Sequence, residues 1–285
     1  MAGSELLESV REMLRQDGKS QGTTASYLSH LRLFLERFGE SAPDIPDEDV
    51  RAYVEELADM GRSPSYASQA RSALRFFYTR LAGRADPLDG VRTTRDAGRA
   101  DRAFTREEIS RLLDCTKQPL YRLAFMLMYS SGLRTNEVCA LRRRNVDTEG
   151  MLIRVNDTAG RHLRTTMLPR SCLALLYECL AGRDDDQPYL FPGRGKTVCV
   201  TGRTLQRVFG HSLANAGLET QGRITLSWLR HSFAVHLLED GTDRRLVQEL
   251  MGIVSTSMMT PYVRLAAANR TLRVMSPLDR FYERG

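Results

Sequence analysis

A stretch of twenty residues in the first half of the chain limits what this sequence can fold into. From Gly83 to Arg102 the residues are mainly Gly, Ala, Asp and Arg, and the few apolar side chains follow no helical or strand period. Such a composition is typical of a linker between domains. A chain of 285 residues is long enough for two domains. We therefore predict a first domain over residues 1–85, a linker over 86–102 and a second domain over 103–285.

Apolar residues recur at helical spacing through the first domain. Breaks at Gly18–Gly22, Pro43–Pro46 and Gly61–Pro64 separate the periodic segments, so we predict a compact domain of four or five helices. Thr23 or Thr24 is expected to cap the helix after the first break and Asp47 the helix after the second, and Ser65 is expected to begin the helix after the third.

The second domain combines helical patterns with one β-hairpin. Thr105-Arg-Glu-Glu108 has the form of a capping box at the start of a helix. Residues 151–155 and 163–168 have strand character, and the turn-rich segment between them joins them as a hairpin. The predicted fold is mostly α with a small β-hairpin or sheet: a helical N-terminal domain followed by an α+β domain.

The positive charge of the chain lies in its second part. Residues 1–90 contain 11 basic and 15 acidic side chains, a net charge of −4, whereas residues 91–285 contain 30 and 20, a net charge of +10. A basic excess of this kind is consistent with a polyanionic partner. No apolar run is long enough for a membrane span or a signal peptide, so we expect a cytoplasmic protein that does not enter membranes.

The five cysteines are scattered and form no Cys-x-x-Cys pair. This distribution argues against a disulfide framework and against a zinc site. We expect no bound metal, and we interpret the cysteines as small buried side chains in a reducing compartment.

Three segments of the second domain carry the candidate chemistry: Ser130–Leu141, Leu226–Gly241 and Leu250–Tyr262. In residues, order and spacing they resemble the three signature segments of tyrosine recombinases, the family of Xer proteins and phage integrases. The helical first domain, the linker and the hairpin between the first two segments resemble the same family. The resemblance thus covers nearly the whole chain.

This resemblance implies that Tyr262 attacks a DNA phosphodiester and forms a 3′-phosphotyrosyl bond, leaving a free 5′-hydroxyl. Because that bond retains the phosphodiester energy, no cofactor is implied. Arg134 and Arg230 match the family's two arginines, and guanidinium groups suit the stabilisation of charge on phosphate oxygens. Glu137, three residues after Arg134 on the same helix, is a candidate to hold that guanidinium in place.

Three positions depart from the family's pattern. The hairpin lysine, which is the family's general acid, aligns with Ala159, and residues 118–195 contain no lysine. Ser227 stands where the family has His or Lys, and Ile253 stands where it has His or Trp. Each missing acid–base group is expected to lower the rate about 10²–10⁴-fold, although the losses of coupled groups do not multiply.

Three neighbouring side chains of the hairpin are candidates to replace the lysine: Arg161, His162 and Arg164. Arginine is a poor proton donor because its pKa exceeds ~12, so His162 is the better candidate. His231 points away from Arg230 around the helix, and we expect it to be structural.

The resemblance also implies a C-shaped clamp around double-stranded DNA. In the first domain the candidate DNA-binding residues are Arg71 and Arg75, on the polar side of the helix that begins near Ser65. In the second they are Arg142, Arg143 and Arg144. Ordinary solvated surface is the alternative for each of them. Contacts of this type give affinity and salt dependence but do not specify sequence.

Two functions from different classes fit these observations. The first is a site-specific recombinase or integrase, slowed by its substitutions or helped by a partner recombinase; Tyr262 and the two arginines favour it. The second is a DNA-binding and synapsis protein that does little chemistry; Ala159, Ser227 and Ile253 favour it. A C-terminal helix of this family often docks on a neighbouring protomer, so we expect self-association on DNA, with packing in cis as the alternative.

Overall fold

The computed structural model describes residues 2–60, 64–90, 102–157, 160–181, 183, 187–195, 198–218 and 224–269. Ala159 and the C-terminal tail lie outside the described residues. The chain divides into two compact units, Met1–Arg99 and Ala100–Gly285.

The first unit is helical, as predicted. Its helices are α1 (Ala2–Gln16), α2 (Gln21–Phe38), α3 (Asp47–Asp59) and α4 (Pro64–Phe76), and α4 continues into a π-helical turn, Phe77–Leu81. Its core contains the fully buried rings of Phe34, Phe77 and Tyr78. Edge-to-face packing of these rings joins α2 to the π-helical turn.

Two of the predicted helix caps in this unit are wrong. Ser20, rather than Thr23 or Thr24, caps α2: its hydroxyl accepts a hydrogen bond from the Thr23 backbone N–H at 3.1 Å. Asp47 is the first residue of α3 and follows Pro46, which makes no side-chain cap. The acidic side chains of that first turn stabilise the helix through its macrodipole instead. Helix α4 begins at Pro64, one residue before the predicted Ser65.

Residues 83–90 pack on the first unit. The Leu88 side chain is fully buried, and Arg71 donates a hydrogen bond from Nη2 to the Leu88 carbonyl at 2.8 Å. Arg84 binds the Asp47 carboxylate at 2.6 Å. Residues 86–90, which fall within the predicted linker, are therefore held in the first unit by a buried leucine and by arginine contacts with the backbone.

The second unit contains one small antiparallel sheet. The strands β1 (Val146–Asp147), β2 (Leu152–Asn156) and β3 (His162–Met167) lie in the order β1-β2-β3. The predicted hairpin is confirmed, with Ile153 opposite Thr166 and Val155 opposite Arg164. Ile153 and Val155 are buried, so alternate residues of β2 face the core.

Eight helices of the second unit are described. They are α5 (Arg106–Asp114), α6 (Pro119–Ser130), α7 (Thr135–Cys139), α8 (Leu173–Ala181), α9 (Gly202–Asn215), α10 (Ser227–Glu239), α11 (Arg244–Met251) and α12 (Thr260–Asn269). The capping box of α5 is confirmed: the Thr105 hydroxyl accepts from the Glu108 N–H at 3.1 Å, and the Glu108 carboxylate accepts from the Thr105 N–H at 2.9 Å.

Helix α10 is buried over most of its length, with Leu229, Phe233 and Val235 within the core. A charged residue on such a helix lies inside the protein, and this accounts for the burial of Arg230. Among the described residues, no helix is both long and apolar enough to cross a membrane.

Candidate active site

Three elements of the second unit, α7, β3 and α10, meet at the Glu137 carboxylate on α7. Arg164 on β3 binds it through two parallel hydrogen bonds, from Nη1 to Oε1 at 2.6 Å and from Nη2 to Oε2 at 2.8 Å. Arg134 donates to Oε1 from its side chain at 2.8 Å and to Oε2 from its backbone N–H at 2.7 Å. Arg230 on α10 places Nη1 3.9 Å from Oε2. One carboxylate thus orients three guanidinium groups.

The electrostatics of Glu137 follow from these contacts. Burial alone would raise the pKa of the Glu137 carboxyl, but the hydrogen bonds from Arg164 and Arg134 outweigh burial and lower its pKa to about 2. The carboxylate is therefore ionised throughout the physiological range.

Arg230 is buried but remains charged. It donates hydrogen bonds to the Gly132 carbonyl and, from Nη2, to the Met251 carbonyl at 2.5 Å. Burial, followed by the nearby charge of Arg134, lowers the pKa of the Arg230 guanidinium to about 10. This value still leaves it protonated at neutral pH.

The same three arginines bind the C-terminal end of α11. Arg164 Nε donates to the Leu250 carbonyl at 2.8 Å, Arg230 Nη2 to that of Met251, and Arg134 Nη2 to that of Gly252 at 2.9 Å. These carbonyls belong to the last turn of the helix, where the helix dipole is negative. Gly252 ends the helix in the left-handed conformation, with φ of 59°.

Tyr262 lies on α12, near enough to Arg230 to contribute to the electrostatic environment of that guanidinium. Its ring centroid is 4.9 Å from that of His231, with the ring planes inclined by 51°. His231, which is expected to be structural, thus contacts the ring of the candidate nucleophile. The sequence feature that could have indicated a position near the site is that His231 directly follows Arg230.

The substituted positions have ordinary structural surroundings. Ser227 is the exposed first residue of α10, and its hydroxyl lies 2.7 Å from the Thr225 hydroxyl. Ile253 is buried in an apolar cluster with Phe233, Val247 and Met259. An isoleucine in this position contributes to packing and offers no hydrogen-bond donor.

The three hairpin candidates occupy different environments. Arg164 is only 6% exposed, and each of its side-chain nitrogens has an acceptor. Arg161 is exposed and pairs with Asp157 at 2.7 Å. His162 is exposed at the start of β3, with Nε2 3.5 Å from the Thr165 hydroxyl. Of the three candidates, only Arg161 and His162 therefore have exposed side chains, and both lie at the turn end of the hairpin.

Two of the three candidate DNA-binding arginines of the second unit border a crevice of about 440 Å³ between the sheet and the end of α7. Arg142 and Arg144 line it together with Glu137 and Tyr189, and the Arg142 guanidinium lies 5.6 Å from the Tyr189 ring centroid. The Arg143 backbone N–H donates to the Pro188 carbonyl at 3.0 Å.

In the first unit, Arg71 and Arg75 both bind the segment that follows the π-helical turn. Arg71 donates to the Leu88 carbonyl, and Arg75 Nε lies 3.1 Å from the Asp86 carboxylate. The Arg75 side chain remains exposed, so both arginines have a structural contact and Arg75 also faces solvent.

Comparison with known proteins identifies the family. Residues 102–269 match the phage integrase family. The chain belongs to this family. Residues 6–86 match the phage integrase N-terminal SAM-like domain. The resemblance inferred from the three segments is therefore confirmed.

Relatives named tyrosine recombinases align over most of the chain. It is 32% identical over 273 residues to tyrosine recombinase XerD of Caulobacter vibrioides, covering 89% of this chain and 88% of that protein. It is 29% identical over 268 residues to tyrosine recombinase XerA of Pyrococcus furiosus, covering 93% and 91%.

Solved structures of recombinases share the fold. A lambda integrase dimer bound to a COC′ core site superimposes with a TM-score of 0.72 at 19% identity, covering 96% of this chain and 99% of that one. The pre-cleavage complex of XerH with its difH substrate gives a TM-score of 0.70 at 19% identity, covering 93% and 83%. The mostly helical fold with a small sheet is confirmed.

Proposed function

We propose that this chain is a site-specific DNA recombinase that cleaves and rejoins strands through Tyr262. The observation that carries the proposal is that Arg134 and Arg230 meet at the Glu137 carboxylate, with Tyr262 of α12 near enough to Arg230 to act on it electrostatically. Cleavage and rejoining of DNA is the general activity of the family, and relatives of the same fold bind DNA.

In the proposed reaction the Tyr262 hydroxyl oxygen attacks the phosphorus atom. A bond forms between this oxygen and phosphorus, the bond from phosphorus to the 5′-oxygen breaks, the phenol loses its proton and the 5′-oxygen gains one. Arg134 and Arg230 stabilise the charge that develops on the non-bridging oxygens. Rejoining is the reverse attack by a 5′-hydroxyl, so no cofactor is consumed.

The substituted positions favour a slow reaction by the isolated protein. Ile253 is committed to the apolar cluster, and the Ser227 hydroxyl bonds to Thr225. Neither supplies the cation or acid that the family has there. His162, exposed on the hairpin, is the remaining titratable candidate near the position of Ala159. A neighbouring protomer or a partner recombinase would supply what this chain lacks.

A second candidate is a DNA-binding and synapsis protein that does little chemistry and associates with itself on DNA. The specific observation in its favour is the burial of Ile253, because this position has become part of the core. On this alternative the arginines bind a phosphate that is not cleaved.

A suicide DNA substrate, nicked beside the cleavage position, distinguishes the two candidates. The protein's own site is first selected from random duplexes, and wild type is then compared with Tyr262→Phe. An adduct with wild type only supports the recombinase. Tight, salt-sensitive binding without an adduct from either protein, with candidate partner recombinases added, supports the synapsis protein.

A further inference from the structure

Arg164 connects the two parts of the candidate site. Its Nη atoms bind both oxygens of Glu137, and its Nε donates to the Leu250 carbonyl at the end of α11. A bidentate arginine–carboxylate pair fixes orientation as well as distance. Arg164 therefore restrains a carboxylate on α7 and the end of α11 with one rigid group.

Each of these partners leads to a group of the proposed reaction. Glu137 holds the Arg134 side chain, which is 44% exposed and faces solvent beyond this contact. Leu250 begins the segment that runs to Tyr262. A displacement of Arg164 would thus move a phosphate-binding group and the nucleophile segment together.

Gly252 provides independent evidence for close packing at Arg164. A Cβ atom at this position would lie 2.8 Å from Arg164 Cδ and 3.2 Å from its Nε. The backbone also has a φ of 59°, which an L side chain rarely adopts. The Arg164 side chain therefore lies directly against the helix end and excludes any side chain there.

We propose that Arg164 is a positioning residue for strand cleavage, acting on Arg134 through Glu137 and on the Tyr262 segment through Leu250. The inference rests on the proposed function and assigns Arg164 a role other than replacement of the missing lysine. Its side chain is 6% exposed and each nitrogen already binds a protein acceptor, so this guanidinium is committed to Glu137 and Leu250 rather than to the leaving 5′-oxygen.

The test compares Arg164→Met and Arg164→Lys with Arg122→Met. Arg122 is a suitable control because it lies on α6 away from the candidate site, is 42% exposed and forms a surface pair with Asp114 at 3.0 Å. Methionine retains much of the apolar stem of arginine, and lysine retains the charge without the two parallel hydrogen bonds. Single-turnover adduct formation at saturating protein and the Kd for DNA are measured for each variant.

We expect Arg164→Met and Arg164→Lys to slow adduct formation about 10²-fold, because misplacement by about 1 Å has that effect. The Kd for DNA should change less than about fivefold, because contacts with the DNA phosphate backbone elsewhere on the protein dominate the affinity. Arg122→Met should match wild type. The double variant Glu137→Gln/Arg164→Met should be no slower than the slower single variant, because the residues act as one unit. Wild-type rates for both Arg164 variants, or multiplied losses in the double variant, would overturn the proposal.

Hydrogen exchange separates this inference from the proposed function. Arg164→Met should speed exchange at the Gly252 and Ile253 amides about tenfold or more, because the helix end loses an anchor, whereas Arg122→Met should leave this exchange unchanged. Unaltered exchange in both Arg164 variants contradicts the positioning role whether or not DNA is cleaved. Absence of an adduct from wild type contradicts the proposed function, and not the anchoring of α11.

Discussion

The Glu137 carboxylate should stabilise the folded protein in a way that depends on pH. Its pKa falls from an ordinary value of 4.5 to about 2. A shift of this size corresponds to about 3 kcal/mol of folding free energy. Because the folded-state pKa is the lower one, this contribution is complete above about pH 5 and is lost as the pH falls from about 4.5 towards 2.

Replacement of Glu137 by Gln removes the charge and leaves three neighbouring guanidiniums without their shared anion. We expect Glu137→Gln to lower the free energy of unfolding by about 3–5 kcal/mol at pH 7, the usual effect of breaking a buried ion pair. The difference in free energy of unfolding from wild type should shrink towards pH 3, because protonation of the wild-type carboxylate begins to remove its stabilising contribution. Urea unfolding at several pH values, monitored by circular dichroism, measures both effects.

Asp114→Asn is the matched control. Asp114 is 64% exposed and pairs with Arg122 at 3.0 Å. A surface pair of this kind contributes less than about 1 kcal/mol, so its removal should change little at any pH. The reasoning about Glu137 would be refuted if Glu137→Gln were as stable as wild type at pH 7, or if the difference between them did not depend on pH.

Two further predictions concern packing. Gly252→Ala should lower the free energy of unfolding by about 1–3 kcal/mol more than Gly18→Ala. Both glycines have a positive φ, but of the two only Gly252 has a close neighbour. Equal shifts in melting temperature would contradict the close approach of Arg164. Leu88→Ala should destabilise the first unit by about 2–4 kcal/mol, because Leu88 is fully buried. Thermal unfolding measures this loss. An unchanged melting temperature would show that residues 86–90 do not stabilise the first unit and belong to the linker.

The local parts of the fold were predictable from the sequence. Helical spacing located most helices within a few residues, and the capping box at Thr105 and the hairpin were recognised from short patterns. The cap of α2 was missed because Ser20, Thr23 and Thr24 are all suitable capping residues within one turn. Only the backbone geometry of Ser20 distinguishes it. Leu88 was missed because a single leucine in a polar segment has no periodicity.

The site was predictable only as far as its residues lie within the three segments. Arg134, Arg230 and Tyr262 were selected by these segments, and Glu137 by its spacing from Arg134. The role of Arg164 was not predictable, because its partner Glu137 lies 27 residues earlier and its other acceptor is a backbone carbonyl. A sequence pattern does not reveal backbone acceptors, so the anchoring of α11 by three arginines required the structure.

The central claim, that Tyr262 is the nucleophile, is tested most directly by mapping the covalent adduct. After incubation with the suicide substrate, nuclease and trypsin digestion should leave a DNA remnant on the peptide Leu246–Arg264, which contains Tyr262. Fragmentation by mass spectrometry should place a 3′-linked nucleotide on the Tyr262 oxygen. A remnant on another residue, or none with wild type under conditions in which it binds its site together with candidate partners, would contradict the account.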